Sequence, residues 1–154
     1  MTPRMNYYEA APETMKAMRA AEDATKELSI SLMLRELIKM RVSQINGCAY
    51  CLDMHAPAAR EAGVSQQKLD VLAAWRESPA FDERECAALD WAEALTRIEQ
   101  QGASEEVFQR LRNVFTEREC VDLTFAVTLI NAWNRFAIGF RSTHKITERD
   151  HAVA

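Results

Sequence analysis

Along most of the chain apolar residues return every three or four positions, the spacing that lines one face of a helix, and no stretch keeps up the apolar–polar alternation of a half-buried strand. The period predicts an all-α fold of about six or seven helices, near 10–28, 31–45, 49–62, 66–76, 83–100, 104–115 and 117–141. Several ends carry a physical signal. Ser104 stands before Glu105 and Glu106, an N-cap oxygen followed by negative charge at the positive end of a helix dipole. Thr116 and Glu119 in "TERE" fit a capping box. Gly63 and Gly102 fit the left-handed conformation that closes a helix.

Two helices say more. Ala88, Trp91, Ala92, Leu95 and Ile98 form one core-facing stripe. The last helix, "ECVDLTFAVTLINAWNRFAIGF", is apolar around much of its circumference, which in so short a chain favours a homo-oligomer interface. Asn131, Trp133, Asn134 and Arg135 are read as packing this helix and its interface rather than touching substrate. Residues 142–154 lack a stripe and read as a mobile or partner-docked tail, with His144 and His151 solvated.

A chain of 154 residues fits a single domain, 1–154, with its core at about 13–140. The net charge of −4 comes from interleaved acidic and basic residues, with no cationic stripe for phosphates, so nucleic acid is not an expected partner. The first residues hold no apolar run of signal-peptide length, and no window approaches the ~20 apolar residues that span a bilayer. No membrane association and a cytoplasmic location are therefore expected.

Within the stretch "INGCAYCLDMH", Cys48, Cys51 and His55 follow steps of three and four, so on a helix both sulfurs and the imidazole share one face. A helix N-terminus and a nearby imidazole both lower a thiol pKa, but they act on different atoms: the helix end favours Cys48, whereas the spacing to His55 favours Cys51. Local physics does not choose between them. Cys86 and Cys120 sit in helical patterns and read as packed thiols.

Glu36 shares a row with Leu32, Met33 and Met40, where a carboxylate needs a partner or a proton. The two readings of it are a simple pair with Lys39 and a proton exchange with His55 across a helix interface. The cysteines and histidine lack the second close ligand pair of a structural zinc site, so neither a metal nor a cofactor is expected. Pro57 removes the hydrogen bond to the carbonyl of Asp53 and is expected to kink the helix beyond His55.

Glu36, then Cys48-x-x-Cys51-x-x-x-His55, "AREAGV", "AWRESPAFDERECAALDWAEALT" and "INAWNRFAI" together resemble the alkylhydroperoxidase D-like (AhpD-like) branch of the carboxymuconolactone decarboxylase family. The resemblance implies an AhpD-like helical bundle assembled into trimers or hexamers, and a thiol-dependent peroxidase acting on hydroperoxides in antioxidant defence. It also implies that Cys51 meets the peroxide, Cys48 resolves, and Glu36 and His55 relay the proton. A dithiol, lipoyl-protein or thioredoxin-like, is the implied reductant.

The founding members place a histidine between the two cysteines. Here that residue is Tyr50, and a phenol is a poor base at neutral pH, so a shorter relay and weaker activity are expected. The alternatives are a carboxymuconolactone decarboxylase-like lyase, which would not rely on a CxxC pair, and a non-catalytic redox sensor.

Overall fold

The structure, a computed structural model, describes residues 2–146 and contains helices with no strand among them. In chain order the α-helices are α1 (Tyr7–Ala10), α2 (Pro12–Ala24), α3 (Leu32–Asn46), α4 (Ala49–Glu61), α5 (Gln66–Val71), α6 (Glu83–Thr96), α7 (Ile98–Gln101), α8 (Glu105–Val114) and α9 (Glu117–Phe140). All seven predicted helical segments are present, but the end of the fourth, Leu72–Glu77, is a 3-10 helix with non-helical torsions at Ala74 (φ −115°, ψ 30°) rather than α-helix. The two additions are short: α1 precedes the first of them, and α7 is split from the fifth.

The split corrects the reading of residues 83–100 as one helix. Arg97, at φ −107° and ψ 35°, breaks the helical path after Thr96. Ala88 and Ala92 are fully buried on the core side as expected, but Ile98, beyond the break, is 57% exposed. The predicted caps are observed: Ser104 accepts from the Val107 amide, and Thr116 and Glu119 form a reciprocal capping box. Gly63 takes a positive φ after α4. Gly102 ends α7 at φ 65° and ψ −178°, a mirror-extended conformation rather than the expected left-handed helical one. Helix α4 runs unbroken through Pro57 to Glu61.

α3 is the central element, packed against α4, α6 and α9, and α8 closes over α6. Leu37, Ile38 and Val42 of α3 meet Leu89 of α6, Leu111 of α8, and Leu123, Val127 and Ile130 of α9 in one apolar cluster. The same helix carries charge into this interior. Arg41 of α3 and Glu93 of α6 are both under 10% exposed and pair at 2.6 Å. Glu93 also accepts from Trp75 Nε1 at 3.0 Å and from Arg76 at 2.5 Å.

The polar residues of α9 largely serve packing. Asn131 and Asn134 both accept from Asn46, at 2.9 and 2.8 Å, and Asn134 donates to Ser43. Ser142 begins the tail docked, its amide on the Ala137 carbonyl at 2.8 Å, and His144 is exposed. His151 and the rest of the expected tail from 147 onward lie outside the described residues. No helix among the described residues is long and apolar enough to cross a membrane.

Removing one partner of a buried ion pair strands the other charge. Glu93→Ala is therefore expected to cost about 3–5 kcal/mol in urea denaturation. Lys26→Ala, which removes the exposed Lys26–Asp23 pair, is expected to leave the urea midpoint essentially unchanged.

Candidate active site

α3 ends at Gly47, whose φ of 69° costs a glycine little and any residue with a Cβ more. The Cys48 amide donates to the Ser43 carbonyl at 3.0 Å, so the chain reverses within two residues and Cys48 becomes the N-cap of α4. Its sulfur accepts the Cys51 amide at 3.3 Å, satisfying one of the N–H groups a helix start leaves unpaired. Cys48 and Cys51 are joined as a disulfide, with Cα atoms 5.3 Å apart, and both are almost wholly buried.

One turn further, His55 is buried and its Nδ1 lies 2.9 Å from Glu36 Oε2. An ionised carboxylate only accepts, so Nδ1 carries the hydrogen and Nε2 is the basic nitrogen of the neutral ring. Glu36 Oε1 lies 3.1 Å from Lys39 Nζ. The two readings of Glu36 are thus both present, one on each oxygen. Burial alone would raise the Glu36 pKa; the hydrogen bond from His55 and the charge of Lys39 outweigh it and hold the carboxyl below its usual range.

The array extends further than the sequence indicated. Lys39 also reaches Glu22 Oε1 of α2 at 2.9 Å, and Trp133 Nε1 of α9 donates to Glu22 Oε2 at 3.0 Å. Glu22, Cys51, His55, Tyr50 and Trp133 line one cavity of about 250 Å³, together with Met54, Ile130, Ala137 and the two tyrosines of α1. Cys48 is not among its walls. Trp133 therefore faces this cavity, which corrects its assignment to packing alone.

α1 forms the wall that sequence reasoning missed. Tyr7 packs its ring against Phe136 and Phe140, at 5.5 and 5.4 Å between centroids, and the Arg4 amide donates to the Phe140 carbonyl. The available signal was Asn6, whose side chain caps α1 by accepting the Tyr8 amide. Glu22 had no such signal, because its partners Lys39 and Trp133 are distant in sequence.

With the two cysteines bonded to each other, no cluster of three His, Cys, Asp or Glu side chains among the described residues is arranged to hold a metal ion. The free thiols are Cys120, buried, and Cys86, partly buried; burial and then the neighbouring acidic groups push the Cys86 pKa up. The raised pKa disfavours the thiolate at Cys86.

A carboxyl whose folded-state pKa is depressed stabilises the fold fully above its unfolded pKa and loses that contribution as pH falls through the folded value. The stability advantage of the wild type over Glu36→Gln is therefore expected to be largest near neutrality. It should shrink on acidification below about pH 4.3, the ordinary glutamate value, in urea titrations at a series of pH values.

The sequence and fold have counterparts. The family model "Carboxymuconolactone decarboxylase family" matches residues 12–94. The uncharacterized protein YdfG of Bacillus subtilis is 44% identical over 138 residues, covering 90% of this chain and 94% of that protein. A crystal structure from Agrobacterium tumefaciens, of unknown function and provisionally called antioxidant defence protein AhpD, superposes with a TM-score of 0.91 at 43% identity over 94% of this chain and 99% of that one. An uncharacterized peroxidase-related protein from Silicibacter sp. TM1040 superposes at 0.78 with 29% identity, over 88% and 72% of the respective chains. With more than half its length matched by the family model and a near full-length relative sharing the sequence, this chain belongs to the carboxymuconolactone decarboxylase family, in its AhpD-like branch.

Proposed function

We propose that the protein is a thiol-dependent hydroperoxide reductase with Cys51 as the peroxide-reactive residue and Cys48 as the resolving one. The observation that carries this reading is the placement of Cys51. Of the two bonded sulfurs' residues it alone lines the apolar cavity, beside a histidine whose Nδ1 is held by a buried carboxylate. The antioxidant and peroxidase-related names of the relatives agree with it.

In the reduced protein His55 Nε2 accepts the Cys51 thiol proton, with Glu36 fixing the ring and stabilising the imidazolium that forms. The thiolate attacks the terminal oxygen of the hydroperoxide and the O–O bond breaks. The departing alkoxide takes the proton from His55 and leaves as alcohol, and Cys51 becomes a sulfenic acid. The Cys48 thiol then displaces hydroxide from that sulfur; with its proton this departs as water, and the disulfide remains. A dithiol of the lipoyl or thioredoxin class reopens the bond by exchange and is itself oxidised.

Attack on Cys51 would release Cys48 as the thiolate at the α4 N-terminus, where the Cys51 amide already points at its sulfur. Val121 and Phe125 leave apolar surface of α9 exposed, which supports the expected homo-oligomer.

Mass-spectrometric thiol counting on reduced protein, before and after one equivalent of cumene hydroperoxide, tests the roles. Wild type is expected to lose two thiols as a 48–51 disulfide, Cys48→Ser to stop at an oxidised Cys51, and Cys51→Ser to stay reduced. Sulfenate at Cys48 in Cys51→Ser would reverse the roles, and no reaction at either cysteine would end the peroxidase reading.

A further inference from the structure

The charge at this site does not stop at Glu36 and His55. Lys39 is 8% exposed and bridges two carboxylates, Glu36 at 3.1 Å on its own helix and Glu22 at 2.9 Å on α2. Trp133 Nε1 holds the other Glu22 oxygen at 3.0 Å, so Glu22 is oriented from two helices at once. With His55 neutral, the array counts two carboxylates against one ammonium, a surplus of one negative charge. When His55 takes a proton, the surplus becomes zero.

Glu36, Lys39 and His55 are buried, while Glu22 stands at the cavity wall with its side chain 37% exposed, so a proton arriving at His55 brings the array to neutrality. The remaining titratable groups facing it are Cys51 and Tyr50 of α4 and Tyr7 and Tyr8 of α1, and α9 brings none to the cavity wall. Arg19 of α2 sits over the Tyr8 ring, 4.9 Å from its centroid, and is not among the cavity's lining residues.

We propose that Glu22 and Lys39 are positioning residues which, with Glu36, form a charge array whose surplus negative charge holds His55 ready to accept the Cys51 proton. This use of the array rests on the reading of Cys51 as the reactive thiol. Lys39 neutralises one carboxylate and fixes both in place; Glu22 supplies the charge that the imidazolium balances. The two residues therefore act on His55 with opposite sign. Without Glu22 the imidazolium is less stabilised, and Cys51 becomes a thiolate only at higher pH. Without Lys39 two carboxylates face His55, the imidazolium is more stabilised, and the thiolate forms at lower pH.

The test reads thiolate formation without peroxide. In reduced Cys48→Ser protein, the rate of iodoacetamide modification of Cys51, identified by peptide mass spectrometry, is followed across about pH 5 to 9. Glu22→Gln, whose amide oxygen can still accept from a neighbour, is expected to move the midpoint up by a few tenths of a pH unit, its charge being partly screened by solvent, and Lys39→Met to move it down. Lys39→Arg, which keeps the cation, is expected to restore the wild-type midpoint.

A purely structural role would move both variants together or neither, and either result overturns the proposal. Cooperative thermal melting checks that each variant folds. Should Lys39→Met fail that check, an upward shift in Glu22→Gln with none in Lys39→Arg sustains the array, and any other pairing overturns it. Shifts of the expected signs in a protein that ignores hydroperoxide would leave the array standing and end the peroxidase reading. Peroxide turnover with unshifted midpoints would do the reverse.

Discussion

A carboxylate 5% exposed between helices is tolerated only if its charge is answered on the spot, and Glu36 is answered twice, by His55 on one oxygen and Lys39 on the other. Much of the site's geometry depends on that requirement. His55 belongs to α4 and Lys39 reaches on to Glu22 of α2, so satisfying one buried charge ties three helices into a single arrangement. Glu93 does the same for the other flank of α3, holding Arg41 and the Trp75–Arg76 turn. α3 is central because its apolar residues fill the core and because its charged residues have partners on the helices around it.

The sulfur pair is held by different physics. A left-handed Gly47 lets α3 turn into α4 with no intervening loop, and the first residue after it becomes an N-cap. The cysteine spacing then does the rest: three residues along a helix start bring the second amide to the first sulfur and the two Cα atoms to 5.3 Å. The two sulfurs end in different settings. Cys48 has the helix end and its unpaired N–H groups; Cys51 has the cavity and the histidine. The two influences that lower a thiol pKa therefore fall on different sulfurs of the pair, the helix end on Cys48 and the histidine on Cys51.

The cavity walls bear on what can enter. Tyr7, Tyr8, Tyr50, Trp133 and Met54 make an enclosure that is mostly apolar, with Glu22 as its acidic wall residue. Such an enclosure favours an uncharged organic group over an anion, because a carboxylate brought inside would meet Glu22 with no cation among the lining residues to answer it. Part of this wall comes from α1, which is clasped onto the end of α9 by aromatic contacts and by two hydrogen bonds from Arg4.

The helical class, the seven main helices and most of their caps were legible because each depends on residues within one or two turns. The same holds for the grouping of Cys48, Cys51 and His55, which a period of 3.6 places on one face in any helix. Glu36 was legible as a conflict, an acid in an apolar row, but its resolution by both Lys39 and His55 was not. What only the tertiary structure decided involves partners far apart in the chain: Glu22 with Trp133, Tyr7 with Phe136, and the choice of Cys51 over Cys48 as the cavity wall. The break at Arg97 that exposes Ile98 was also hidden, since the apolar spacing continues through it. Periodicity reports which face of a helix is apolar; which neighbour that face meets is set by packing between helices, and that is where this site acquires its cavity and its charge balance.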